Sequence, residues 1–221
     1  MTPQEKRNQR MAERLVCNLK QRNFDAYYCP TREDVINKAK ALMPEGSSVT
    51  WGGSMTIRDL GLTEALKQGH YDVIDRDSIN FAEAERQGRP YEELKKECYL
   101  RAFSADFYLS SVNAMSVDGV LVNIDGTGNR VAAITWGPAH VIFVVSLAKV
   151  CQTVEAALQR ARSTAAPVNA ARFDIETPCQ KDGVCHNCHS PQSICNYVHF
   201  LRNSYPRGRH IVLLTDEQAG Y

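Results

Sequence analysis

The run Val141 to Ser146, VIFVVS, narrows the choice of fold more than any other stretch of this 221-residue chain. It is uncharged and nearly all apolar at odd and even positions alike, so both faces of the strand it forms must be covered. His210 to Thr215, HIVLLT, is apolar enough to return to the same sheet. Strands of this kind belong inside a parallel-rich sheet, not in a hairpin with one wet face.

The rest of the chain supplies alternating partners. Residues 4–22 make a polar helix with Met11, Leu15, Val16 and Leu19 on one side. Asp25 to Cys29 is a short strand, and Thr31 with Asp34 starts a helix that runs to Met43 and stops at Pro44. Ser48 to Trp51, Asp72 to Ile74 and Asp106 to Ser110 have strand character, with helices at Leu62 to Gln68 and Tyr91 to Ala102 between them. Val131 to Thr135 reads as a further strand, Thr153 to Ala166 as an alanine-rich helix, and Ser193 to Arg202 as a helix. The alternation predicts an α/β fold, a parallel-rich sheet with helices on both faces. Residues 1–221 read as one domain, and the cysteine-rich part at about 167–200 is an excursion from it.

With 43% hydrophobic residues the chain can bury a full core. Its 26 basic and 25 acidic side chains form no basic stripe, which argues against nucleic acid as a partner. No stretch approaches the roughly 20 apolar residues of a membrane span. The charged N-terminus lacks the apolar core of a signal peptide. A cytoplasmic protein is expected, and its eight cysteines then need another explanation than secreted disulfides.

Ser111 to Arg130, SVNAMSVDGVLVNIDGTGNR, crowds Asn113, Asp118, Asn123, Asp125, Gly126, Asn129 and Arg130 between buried-looking strands. Asp118-Gly119 and Asp125-Gly126 are turn dipeptides around a short strand at Val120 to Ile124. A hairpin needs only one good turn, so the surplus of polar residues sets a ligand pocket against plain turns. The loop after Trp51 is a second candidate. Gly52 and Gly53 permit a tight turn there, and Ser54 and Thr56 can cap the next helix, whose free N–H groups would face an anion. Asp75-Arg76-Asp77 and Lys149 fall near strand ends, the ligand edge of an open α/β sheet, although Asp-Arg-Asp also suits a solvated loop.

Cys179, Cys185, Cys188 and Cys195 fall close together in a loop shaped by Pro178, Gly183 and Pro191. Thiolates suit soft and borderline metals, and Cys185 with Cys188 forms a Cys-x-x-Cys pair. A structural zinc usually draws two such pairs. One pair with irregular flanks favours a 4Fe-4S iron-sulfur cluster, with zinc, to which His186 and His189 could add ligands, as the alternative. Free thiols or a redox disulfide are the third reading. Cys17, Cys29, Cys98 and Cys151 read as small buried residues.

Over nearly its whole length the chain resembles the LUD-domain family, proteins associated with lactate utilisation, in a branch with a cysteine-bearing C-terminal segment. The resemblance is carried by Trp51-Gly-Gly-Ser-Met-Thr56, Ser111 to Arg130, Gly137-Pro138, and the tail from Thr177-Pro-Cys179 through Ser190-Pro-Gln-Ser-Ile-Cys-Asn196. It implies a fold like that of ribose-5-phosphate isomerase, glucosamine-6-phosphate deaminase and the coenzyme A transferases, which bind phosphorylated sugars or acyl-coenzyme A with glycine loops at strand ends. Carried onto this chain, Gly52, Gly53, Ser54 and Thr56 would stand opposite Asp118, Asn123, Asp125 and Asn129. Related folds commonly dimerise, so the resemblance also implies a homodimer. Two departures stand out. The run Val145-Ser-Leu-Ala-Lys149 lacks the Gly and the Asn-Lys pair the family tends to carry, and no glutamate nucleophile for acyl transfer is evident.

A small anionic metabolite, a sugar or hydroxy acid with or without a phosphate, is therefore the expected ligand. In an isomerase or hydro-lyase, Gly52 to Thr56 would grip its phosphate or carboxylate and Asp118 or Asp125 would be the general base. Arg130 and Lys149 would stabilise developing oxyanion charge, with Asn113, Asn123, Gly126 and Asn129 as further ligand contacts. The alternatives are an accessory or electron-transfer protein of lactate utilisation, which needs redox partner proteins, and a binding protein with a structural zinc.

Overall fold

A computed structural model describes all 221 residues, Met1 to Tyr221. The chain passes through α1 (Pro3–Gln21), β1 (Asp25–Tyr28), α2 (Arg32–Leu42), β2 (Ser48–Trp51), α3 (Met55–Asp59), α4 (Leu62–Lys67), β3 (Asp72–Ile74), α5 (Phe81–Gln87), α6 (Tyr91–Phe103) and β4 (Phe107–Ser110). It continues through β5 (Ala114–Ser116), β6 (Leu121–Asp125), α7 (Asn129–Thr135), β7 (His140–Ser146), β8 (Val150–Cys151), α8 (Val154–Arg160), α9 (Ala166–Ala170), α10 (Pro178–Asp182), β9 (Tyr197–Leu201) and β10 (His210–Thr215).

Six strands form a parallel sheet in the order β1-β10-β7-β4-β2-β3. The two most apolar strands, β7 and β10, lie side by side in its interior, and their side chains divide by parity. Val141, Phe143, Val145, Val212 and Leu214 pack against Ala12, Leu15 and Leu19 of α1 and against Met115 and Leu121. Ile142, Val144, Ile211 and Leu213 pack against Val35 and Ala39 of α2 and Leu62 and Leu66 of α4. Covering both faces is what an uninterrupted apolar strand requires.

A second sheet, β8-β5-β6-β9, joins α1 and α7 on one of these faces. Its other face meets α8 and the turn that follows it through Ala114, Val122, Ile124, Ala157 and Ala161. No helix is long and apolar enough to cross a membrane.

Three sequence expectations fail, the first two because a partner distant in sequence decides the element. Residues 131–135 are helical, in α7, and not a strand. Asp125 accepts hydrogen bonds from the N–H groups of Gly128 (3.4 Å) and Val131 (3.0 Å) at the start of α7. At its end Arg209 donates to the carbonyls of Ala133 (3.1 Å), Ile134 (2.6 Å) and Pro138 (3.1 Å). Residues 197–201 are a strand, not part of a helix, because β9 completes the open edge of β6 antiparallel from Asp125↔Tyr197 to Leu121↔Leu201. The alanine-rich helix does not end before Pro167. It widens into a π-turn at Ala161–Ala165 and continues as α9 with Pro167 in its first turn. Pro167 has no N–H to give, and a first turn is where that loss costs little. The short helix α5 carries too weak an apolar pattern to be read from sequence.

Candidate functional site

Four adjacent strands of the large sheet end on one side, and the residues after each converge. Gly53, Ser54 and Thr56 follow β2, Ser111 and Asn113 follow β4, Lys149 follows β7 and Gly220 follows β10, all lining one cavity of about 100 Å³. Ile124 of β6, Arg130 of α7 and Asn169 of α9 close it from the side of the second sheet. Parallel strands place all their carboxyl ends on one edge, so residues far apart in sequence meet there.

The electrostatics of the cavity are one-sided. Its walls include two basic side chains and no Asp or Glu. Lys149 is 2% exposed, and its Nζ donates to Thr56 Oγ1 (2.7 Å), Ser111 Oγ (3.4 Å) and the Val112 carbonyl (3.5 Å). Burial lowers its pKa to about 7, aided by the charges of Arg160 and Arg130. Arg130 is spread over neutral oxygens: Asn123 Oδ1 (3.1 Å), Asn113 Oδ1 (3.1 Å), the Ile124 carbonyl (2.5 Å) and the Ser111 carbonyl (3.4 Å). Its one carboxylate neighbour, Asp125, stands 3.9 Å away. Both cations thus reach Ser111, Arg130 at the carbonyl and Lys149 at the hydroxyl.

The loop after β2 departs from its expected role. Ser54 does not cap α3, and its buried hydroxyl has no partner. Thr56 does not cap either: its hydroxyl accepts from Lys149 and donates to the Ala219 carbonyl (3.2 Å). Gly52 lies behind the cavity, where a Cβ would stand 2.7 Å from the Tyr108 hydroxyl and 3.5 Å from Arg130 Cδ. A side chain there would displace the ring or the guanidinium.

Of the expected site residues, Gly53, Ser54, Thr56, Asn113, Arg130 and Lys149 meet at this cavity. Asn123 acts one step behind, through Arg130. Four others are elsewhere. Asp118 pairs with Arg22 (2.6 Å), and the Ser116 hydroxyl, with Arg22, holds its pKa below the usual carboxylate value. That is the wrong direction for a general base working near neutrality. Asp125 is occupied with the start of α7. Asn129 opens the same helix and accepts from the Thr127 hydroxyl (2.5 Å). Gly126 packs on the Ile194 backbone, which a Cβ would approach to 3.2 Å. The sequence reading missed Asn169, Gly220 and Tyr221, which line the cavity from the C-terminal part of the chain, and it did not single out Ser111. Only its place after an apolar strand could have flagged Ser111.

Cys179, Cys185, Cys188 and Cys195 line a second cavity, of about 60 Å³, together with Ile124, Arg162 and Pro167. Burial and the three neighbouring thiols push the Cys195 pKa up to about 11. No three His, Cys, Asp or Glu side chains stand close enough together to hold a single metal ion. The two cavities share a wall, since Ile124 lines both.

The profile of the LUD domain matches residues 12–215. The crystal structure of a DUF162 family protein from Deinococcus radiodurans is similar in fold at 14% sequence identity, with a TM-score of 0.52 and 94% of this chain and 97% of that one covered. No curated protein matches the chain.

Proposed function

The chain belongs to the LUD-domain family, and on that premise we propose that it binds a small anionic metabolite at the strand-end cavity and acts on it as an enzyme. One observation carries the proposal: the buried Lys149 and the partly buried Arg130 line a cavity without a single acidic side chain. Buried charge is normally paired, and an anionic ligand would supply the partner that Lys149 lacks. The unpartnered Ser54 hydroxyl is a further donor for it. The family's tie to lactate utilisation brings hydroxy and oxo acids forward as candidates, beside phosphorylated sugars. In a proton-shifting reaction such as isomerisation or dehydration, Lys149 rather than Asp118 or Asp125 is the group within reach.

Calorimetric titration with lactate, pyruvate and short sugar phosphates tests the proposal. At least one should bind saturably, and Lys149→Met and Arg130→Gln should each weaken it by about tenfold or more, as expected for one charge-assisted contact. No binding by any of these anions, or undiminished binding by both variants, would overturn it.

The four cysteines are assigned as ligands of an iron-sulfur cluster. Their chemistry and their common cavity support this. A bound cluster would supply one-electron transfer. The shared wall at Ile124 favours a second reading, in which the protein passes electrons in lactate utilisation. Iron, sulfide and zinc analysis of protein purified without oxygen decides the metal. About four irons are expected, and stoichiometric zinc, or neither metal, would refute the assignment.

A further inference from the structure

We propose that Lys149 is a covalent catalytic residue whose Nζ forms an imine with the carbonyl carbon of a small anionic oxo compound, a 2-oxo acid or a short phosphorylated aldose or ketose. The proposal rests on the anion-binding reading and adds the functional group the ligand must carry.

Three observations carry it. First, Lys149 is buried without a carboxylate: its three partners are neutral oxygens, and two of those contacts are 3.4 and 3.5 Å long. The proton of its shortest partner, Thr56, is already directed at the Ala219 carbonyl, so Thr56 can only accept from Nζ. A lysine kept for structure would be expected to lean on an acid, yet Lys149 makes no ion pair; Asp59 acts on it only at longer range and accepts from the Gly220 N–H (2.9 Å). Second, two guanidinium groups surround it. Arg130 reaches the Ser111 carbonyl, and Arg160 donates to the Asn113 carbonyl (2.5 Å). Desolvation and like charge both favour the neutral amine, which is the nucleophilic form, and the lowered pKa agrees. Third, Lys149 and Arg130 line the same small cavity. An anion drawn into that cavity by the charge of Arg130 would carry a carbonyl one or two bonds from its anionic group into the space that Lys149 also lines.

The step balances without an oxidant or reductant. The Nζ lone pair adds to the carbonyl carbon while the C=O π pair moves to oxygen. That oxygen takes up a proton as the nitrogen loses one. The carbinolamine then expels its oxygen as water and the C=N bond forms, so amine and carbonyl give imine and one water. The Ser111 hydroxyl, 3.4 Å from Nζ and 5% exposed, is placed to carry these protons. Protonated, the imine is an electron sink for removing a proton from the neighbouring carbon.

Reductive trapping tests the proposal. The full chain is incubated with pyruvate, and separately with glycolaldehyde phosphate, then treated with cyanoborohydride and digested for peptide mass mapping. The expected result is one dominant adduct on Lys149 that saturates with the oxo compound and is suppressed by an excess of lactate or inorganic phosphate. Wild-type mapping carries the test if Lys149→Met folds poorly. Calorimetric binding of pyruvate or glycolaldehyde phosphate without an adduct on Lys149 would overturn the imine and leave the anion site standing. Adducts scattered over surface lysines would overturn it too. If neither oxo compound binds or is trapped, the anion site and the imine fail together.

Discussion

Lys149 is the residue where burial and charge conflict most sharply. Its folded-state pKa of about 7 lies below the ordinary lysine value of 10.5. Between these two values the unfolded chain holds a proton on this lysine that the folded chain has released. Stability from this one group therefore rises as pH rises from 7 towards 10.5, by about 1.4 kcal/mol per pH unit at most, and it is lowest below 7, where the buried amine must carry its charge. The difference in urea-unfolding free energy between wild type and Lys149→Met should follow that slope. A difference that stays flat from pH 7 to 10 would mean that the lysine is solvated in the folded protein. Sequence alone placed Lys149 near a strand end but could not tell that it would be buried without an acid, because its neighbours Thr56 and Ser111 are 93 and 38 positions away.

Helix α7 shows what an element owes to residues outside it. Its seven residues are too few to hold themselves in a helix. Asp125 satisfies N–H groups at one end, and Arg209, 74 or more positions further on, satisfies carbonyls at the other. Asp125→Ala should lower stability by roughly 1 kcal/mol, as loss of a helix cap does, and leave anion binding intact. Arg209→Met should cost more, roughly 3 kcal/mol, since several buried carbonyls lose their donor. Urea midpoints check both, and loss of anion binding in a folded Asp125→Ala protein would return that carboxylate to the proposed site. The strand expected at residues 131–135 failed for this reason: a short apolar stretch fits either element, and one group that decides, Arg209, lies far away in sequence.

Across the whole molecule, two sheets bring the strand-end cavity and the cysteine cavity to opposite sides of Ile124. The cysteine loop is seated on β6 by Gly126, where a Cβ would come within 3.2 Å of Ile194 Cα and 3.4 Å of its carbonyl oxygen. Both are backbone atoms, so the loop itself would have to move. Asn196 also ties the loop to the Gly126 carbonyl (2.9 Å). Gly126→Val should therefore lower the iron content of anaerobically purified protein while anion titration stays close to wild type. Unchanged iron would show that the loop does not depend on this contact.

The sequence by itself determined the layered α/β architecture, because the apolar runs of β7 and β10 can be stable only when covered on both faces. It determined the capped start of α2, where Thr31 and Asp34 bond each other's backbone within one turn. The clustering of Gly53, Ser54, Thr56, Asn113, Arg130 and Lys149 was only partly legible, through their places at predicted strand ends. Tertiary structure alone decided that β9 is a strand, that Asp118 and Asp125 serve pairing and capping, and that Asn169 and Gly220 reach the cavity. Local elements follow from burial period and near-neighbour hydrogen bonds, which are written along the chain. Strand partners, buried charges and convergent strand ends depend on groups brought together only when distant segments pack.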